Sequence, residues 1–413
     1  MAVENNIPEG WLMTFLGDIT NYIRRGITPK YCENESIFVI NQRCIRDNKV
    51  SLLNARFHDL SLKDVGDEKR LKSGDILICS TGVGTLGRVA QYKLNDTLAT
   101  VDSHVTIVRP NDNIFKPFLG LLLSGKEREI EFLAEGTTGQ TELPRTSLGL
   151  LQINLPPLPE QKAIAKVLTA FDDKIELLQA QNKTLEIMAQ TIFKEWFGKY
   201  QIGDELPEGW RLCELGDIVS KSNTGADAIK KAPIVSEDTG VRCLRIGDLS
   251  NNRSFDDWGF TSVTEKNFKQ FQLKKYDIVI TRTSILGLNK LIMKDLNAVY
   301  NNGLIKISLV ENVNPFFIFS YFKSKRYRNY ISMINNDTST RPNMKIDYLL
   351  RFPIILPTRD LEVKFSKFMG SAMLKISKNK NQIQSLTKTR DTLLPKLMSG
   401  QVRVKNIKQT TDA

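Results

Sequence analysis

From Ile164 onward, apolar residues recur in alternating steps of four and three, through Leu168, Phe171, Ile175, Leu178, Asn182, Leu185, Ala189, Ile192 and Trp196. This is the coiled-coil period, and it predicts one long helix carrying a single seam. Pro159 and Glu160 suit its first turn and Gly198 its end. A second stripe runs through Leu361, Phe365, Phe368, Ala372, Ile376, Asn379, Ile383, Leu386, Arg390, Leu393 and Leu397, with one extra residue between Ala372 and Ile376 that makes a local stutter. Such a stripe is either the core face of an ordinary helix or a helix–helix seam; with two in one chain, each can be the other's partner. Ahead of each helix the pattern shortens to β-rich runs, Ile76 to Cys79, Val105 to Val108, Ile278 to Thr281 and Ile305 to Val310, separated by Gly, Asn, Asp and Thr loops. The class predicted is mixed α/β (α+β), with the strand order left open.

The two halves repeat. Ile7-Pro8-Glu9-Gly10-Trp11 returns as Leu206-Pro207-Glu208-Gly209-Trp210, and Leu16-Gly17-Asp18-Ile19 as Leu215-Gly216-Asp217-Ile218, both displaced by 199 residues. Leu71 to Ile78 answers to Leu273 to Ile280, and Ile153-Asn154-Leu155-Pro156-Pro157 to Ile354-Ile355-Leu356-Pro357, each just before a long helical pattern. A two-copy repeat of this length means duplicated domains rather than a solenoid.

At 413 residues the chain is long enough for two or three domains, and 41% hydrophobic with 25% charged residues is an ordinary globular composition. The formal net charge of +12 favours an anionic polymer or surface as partner. Cys32, Cys44, Cys79, Cys213 and Cys243 form no C-x-x-C pair, and with only His58 and His104 beside them they read as reduced structural thiols rather than a zinc site. Neither a signal peptide at Met1 to Glu9 nor a membrane-spanning apolar run is apparent, Phe316 to Phe322 being far too short, so a cytoplasmic location is expected.

Leu155-Pro156-Pro157-Leu158-Pro159-Glu160-Gln161-Lys162-Ala163-Ile164-Ala165, Thr389-Arg390-Asp391-Thr392-Leu393-Leu394-Pro395-Lys396-Leu397-Met398-Ser399-Gly400 and the duplicated Pro-Glu-Gly-Trp…Leu-Gly-Asp-Ile stretches together resemble the specificity (S) subunits of Type I restriction-modification systems. The resemblance covers essentially the whole chain, although the second helix opens on Thr358-Arg359-Asp360-Leu361-Glu362 in place of the Pro-Glu-Gln form. It implies two duplicated target-recognition domains separated by two long helices packed as an antiparallel coiled coil, with pseudo-two-fold symmetry. The boundaries expected are domain one at 1–155, a central spacer helix at 156–200, domain two at 201–357, a C-terminal spacer helix at 358–405 and a flexible tail at 406–413. It also implies a non-catalytic reader of a bipartite, asymmetric double-stranded DNA site that scaffolds methyltransferase (M) subunits and restriction (R) subunits, two of each. S-adenosylmethionine, ATP and Mg would sit on those partners, and none on this chain. A seam of about 50 Å would then separate half-sites by about one turn of B-DNA. Antiparallel packing would bring Asn182 and Asn379, each near the middle of its seam, to one level, where they could hydrogen-bond and set the register.

Polar, basic loops are the candidates for DNA contact: Arg24, Arg25, Thr28, Lys30, Thr81, Thr85, Arg88, Thr137, Thr138, Gln140 and Arg145 in the first copy. Their second-copy counterparts are Lys221, Asn223, Thr224, Arg282, Thr283, Asn289, Lys290, Thr338, Ser339, Arg341 and Asn343. Lys and Arg would supply phosphate affinity, and Arg, Asn, Gln, Ser and Thr base choice; each taken singly also fits a merely solvated loop. Gly82-Val83-Gly84-Thr85-Leu86-Gly87 is a literal G-x-G-x-x-G, but Arg88 to Tyr92 reads as a strand where a nucleotide site needs a helix, so a turn or DNA-facing loop is expected. Asn314-Pro315-Phe316-Phe317, matched by Lys116-Pro117-Phe118-Leu119, marks a shared structural helix rather than a methyltransferase tetrad. The competing readings are a self-contained DNA methyltransferase or nuclease, which lacks cofactor motifs here, and a coiled-coil adaptor that never touches DNA, which leaves the charge unexplained.

Overall fold

The computed structural model describes residues 7–33, 36–136, 141–337 and 342–404. Two helices of 40 residues dominate it, Leu158–Phe197 and Arg359–Met398, beginning 201 residues apart. The second helix therefore starts at the repeat position despite its different opening sequence. The reason is visible at the fourth residue of each helix: Gln161 Oε1 accepts the Phe115 backbone N–H at 3.0 Å, and Glu362 Oε1 accepts that of Asn314 at 2.7 Å. A buried acceptor is needed at this point, and either side chain supplies one.

The chain divides into two compact units, Met1–Glu176 with Ile383–Ala413, and Leu177–Gln382, so that each contains one half of each long helix. In the first unit, a four-stranded antiparallel sheet runs in the order Thr20–Arg25, Val105–Pro110, Ile76–Cys79, Val89–Gln91. A second sheet orders Ala99–Val101, Ile37–Ile40, Arg56–His58 and Tyr31–Cys32, with its first pair parallel. Leu12–Phe15 pairs with Gln152–Leu155, which leads into the first long helix. The second unit repeats this plan with Val219–Thr224, Leu304–Leu309, Ile278–Thr281 and Asn289–Leu291, then Ile234–Val235, Phe260–Thr261, Arg242–Leu244 and Ala298–Tyr300, and Arg211–Glu214 against Pro353–Leu356. The paired short helices Lys116–Gly125 and Pro315–Tyr321 stand where the two copies of the Pro-Phe motif predict.

Repeated motif residues hold this framework. Arg109 grips Asp75 with Nε and Nη2, both at 2.8 Å, while in the second copy Lys306 and Ser308 reach Asp277 at 3.1 and 2.6 Å. Gly26 and Gly225 let the chain pass beside the second sheet: a Cβ at Gly26 would stand 1.8 Å from Val101 O, and one at Gly225 2.1 Å from Asn301 O.

Within each unit the helix halves run antiparallel. Leu397 packs with Ile164, Ala165 and Leu168, and Arg390, a seam position, donates from Nη1 to Asp172 at 2.6 Å. In the second unit Asn182 faces Asn379, and Phe365 meets Phe193 and Phe197 at ring separations of 5.6 and 5.3 Å. The seam residues Ile164, Leu168, Ile175, Leu178, Asn182, Phe365 and Asn379 are buried, and Phe171, Leu185, Phe368, Ile383, Leu386 and Leu393 half-buried. Phe193 and Phe197, outside the seam, are also buried and join Phe317 and Tyr321 in the core of the second unit. The helices are thus part of each unit's core as well as partners of one another.

After the second helix, Arg403 turns back on the first unit. Its Nε and Nη2 donate to the two Glu160 carboxylate oxygens at 2.6 and 2.8 Å, Nη1 donates to Glu9 O, and the guanidinium lies over the Trp11 ring. Trp11 Nε1 donates to the same Glu160. The duplicated Trp210 instead stacks against Tyr200 and Phe197 as the first helix ends. The proposed tail at 406–413 lies outside the described residues.

Candidate nucleic-acid interface

The antiparallel register of the first unit's main sheet brings the ends of three strands together. Val105 lies opposite Cys79 and Thr106 opposite Arg25, so Arg25, the loop after Cys79 and the turn before Val105 share one sheet end. Thr81 Oγ1 accepts from Gln42 Nε2 at 2.8 Å and lies 2.8 Å from His104 Nδ1; the Thr85 hydroxyl donates to Gln42 Oε1 at 3.2 Å. Gly82 takes φ +96°, a conformation that favours glycine, and a Cβ there would press on the bracing Thr85 Oγ1 and Gln42 Oε1, at 2.5 and 2.6 Å. Arg88 completes the brace by donating from Nη2 to Gly84 O at 2.7 Å. The loop at 82–87 is followed by the strand Val89–Gln91, as the sequence predicts, and by no helix.

Arg25 is held by Glu142, at 2.7 Å, and by Leu143 O, at 3.1 Å. Glu142 also bridges to Thr81 and to Glu135; Thr137, Thr138 and Gln140 lie outside the described residues. Arg24, Thr28, Lys30 and Arg145 are exposed; among the described residues the three cations form no ion pair. His58 is a core residue: its Nδ1 accepts the Lys30 N–H at 2.8 Å, leaving Nε2 to donate to Lys63 O at 2.7 Å. Burial raises the thiols of Cys79 to about 12 and Cys243 to about 11, values that leave them protonated and unreactive.

The second unit places Thr224, Arg282, Thr283 and Asn343 at the corresponding sheet end, with Lys221 three residues back along its strand opposite Ser308. Thr283 bridges to Asn343, as Thr81 does to Glu142, and Ala226 to Asn301, as Ile27 does to Asp102. Lys221 is exposed on its strand, Thr224 is half-buried at that strand's end, and Asn223 Oδ1 accepts the Tyr300 hydroxyl. Arg282 spends its guanidinium on Met344 O and Asn302 O, each at 3.2 Å. Thr338, Ser339 and Arg341 lie outside the described residues.

Two candidates differ from the sequence-based expectation. Asn289 and Lys290 belong to the strand Asn289–Leu291 rather than to a loop. The Asn289 amide donates to Gly287 O and Phe322 O, and Lys290 lies over the Trp258 ring at 5.2 Å, its ammonium disfavoured first by burial and then by Lys380. The shorter second loop starts the strand sooner, which takes both side chains out of the loop. Conversely, Gln42, His104 and Glu142 belong to the site and were not among the candidates; Gln42 comes from a different sheet's connection, and no local pattern marks it.

The model of the Type I restriction modification DNA specificity domain matches residues 8–187 and again 207–388. The chain belongs to that family. Membership makes it a DNA-specificity subunit, the non-catalytic, target-recognising component of a restriction-modification system. It is 29% identical over 358 residues to the MjaIX specificity subunit of Methanocaldococcus jannaschii, covering 81% of this chain and 79% of that protein. It is 25% identical to the HindI specificity subunit of Haemophilus influenzae, covering 95% and 99%. The fold of this specificity subunit is similar to that of the S subunit of a Type I system from M. genitalium, at a TM-score of 0.63 and 18% identity over 96% of this chain and 98% of that one. Among the described residues no helix of the specificity subunit is long and apolar enough to cross a membrane.

Proposed function

We propose that each unit reads one half of a bipartite, asymmetric double-stranded DNA site with the loops at its main-sheet end. The observation that carries this reading is a repeated scaffold with unlike side chains. Thr81 with Glu142 and Thr283 with Asn343 occupy matching bridges, yet the neighbouring polar side chains, Arg25, Gln42 and His104 against Asn223 and Arg282, differ. Two readers of one architecture and different chemistry suit two different half-sites. Exposed Arg24, Lys30, Arg145 and Lys221 would meet phosphates, in keeping with the net charge of +12. The subunit then works in the cytoplasm, with two methyltransferase and two restriction subunits around it. S-adenosylmethionine, ATP and Mg would be bound by those partners.

The test is to assemble the chain with its methyltransferase subunit and map methylated adenines, before and after exchanging residues 206–350 for those of another family member. One half of the target should change and the other persist. A change in both halves, or methylation by the purified chain alone, would overturn the proposal.

A further inference from the structure

Val83 stands at the tip of the loop braced by Gln42, Thr81, Thr85 and Arg88, and 89% of its surface is exposed. In the second unit the corresponding loop runs from Thr283 to Gly287, and Ile285 at its tip is 50% exposed. Strand ends fix the correspondence: Gly87 N–H donates to Cys79 O and Gly287 N–H to Thr281 O, while Thr81 and Thr283 make the matching bridges. Between those anchors the first loop is two residues longer. Single exposed aliphatic residues are common on any surface. Here, however, loops of different length and sequence both finish on a β-branched aliphatic side chain, on the sheet end that carries Arg25 in the first unit and Arg282 in the second.

Neither tip is free to fold its apolar group away. Gly82 and Gly84 take φ +96° and +71°, Leu86 N–H and Thr85 N–H both return to Gly82 O, and Arg88 holds Gly84 O. In the shorter loop Ser284 takes φ +64°, which a non-glycine residue adopts only where its surroundings impose it, and Thr281 Oγ1 donates to Ile285 O. A stiff loop displaying one branched aliphatic group between polar hydrogen-bonding groups matches one feature of the DNA major groove. The C5-methyl of thymine is the apolar group on that groove's edge of the base pairs, and aliphatic contact is how proteins read it.

We infer that Val83 and Ile285 are specificity-determining residues, each reading a thymine methyl group in its own half-site. The inference rests on the DNA-reading role proposed above for these loops.

Deoxyuridine removes that methyl and nothing else. With the target mapped, duplexes in which each thymine is replaced singly by deoxyuridine are titrated with the complex of full chain and methyltransferase subunit. One position in the first half-site should weaken binding about threefold to fivefold, the worth of one buried methyl. Val83→Ala should bind the thymine and deoxyuridine duplexes equally, and Ile285→Ala should do so for one position in the second half. A half-site without thymine, a flat deoxyuridine scan, or a penalty that survives Val83→Ala overturns the inference. Arg24→Ala and Arg145→Ala, measured on the same duplexes, separate the two failures. If they weaken binding while Val83→Ala and deoxyuridine do nothing, the loops face DNA and the methyl is not read. If they too are silent, the proposed interface itself is wrong.

Discussion

Asn379 donates from Nδ2 to Asn182 Oδ1 at 2.9 Å across the helix seam, with the two residues 0% and 8% exposed. Asn379 Oδ1 has no hydrogen-bond partner among the described residues. The pair therefore costs stability relative to an apolar seam, while any register that separates the amides costs more.

Asn182→Leu should destabilise the second unit by about 1–3 kcal/mol, because it leaves the fully buried Asn379 amide with only the long 3.5 Å contact to Gln181 Oε1. The double change Asn182→Leu with Asn379→Leu should recover that loss and exceed the parent. Urea unfolding of all four proteins gives the coupling directly; additive single effects would mean that the bond contributes nothing.

Gly26→Ala should be among the most damaging single substitutions in the first unit, since its Cβ would overlap Val101 O and backbone cannot step aside. Gly225→Ala should do the same to the second unit. Methylation mapping would show each variant relaxing its own half of the target first.

Glu142 lies 2.7 Å from Arg25 and offsets its positive charge at the sheet end proposed above to meet DNA. Glu142→Gln should tighten DNA binding at low salt and steepen the dependence of log K on log salt by up to about 1. Arg24→Ala and Lys221→Ala should each flatten it by about 1. A weaker complex from Glu142→Gln would assign the carboxylate a direct base contact instead.

Burial, partly countered by Glu186 and reinforced by Lys380, lowers Lys323 from 10.5 to about 8. Between those two values the unfolded chain holds more protons than the folded one, so stability rises as pH rises from about 8 towards 10.5. Below about 8 the protonated ammonium is present in both states, and its burial is a standing penalty on the fold. Lys323→Met should remove this pH dependence and stabilise the protein near neutrality by roughly 2–3 kcal/mol. Unfolding midpoints of parent and variant at pH 7 and pH 10 would converge if the account holds.

Arg403 ties the segment after the second helix to Glu160, Glu9 and Trp11. Arg403→Ala should speed amide exchange at Glu9 to Trp11 and after Met398, and Arg403→Lys should restore it only in part, because an ammonium cannot engage both Glu160 oxygens as a fork does. Equal protection in all three proteins would make the contact incidental.

The repeat, the two long helices and the asparagine level were legible in the sequence because they are local or self-referential: a period of 3.5 declares a seam, and a chain compared with itself declares its copies. Even the second helix's unusual opening misled little, since Glu362 fills the Gln161 role. What only the tertiary structure decided is how loops 23 to 118 residues apart converge, His104 and Gln42 on Thr81, and Leu143 and Glu142 on Arg25. Antiparallel register creates those neighbours, and no periodicity encodes which strand ends will meet. The same limit explains Asn289 and Lys290: their polarity suggested a loop, but whether a polar side chain faces solvent is settled by the element it lands in and by the neighbours that pack over it, here Phe322 and Trp258.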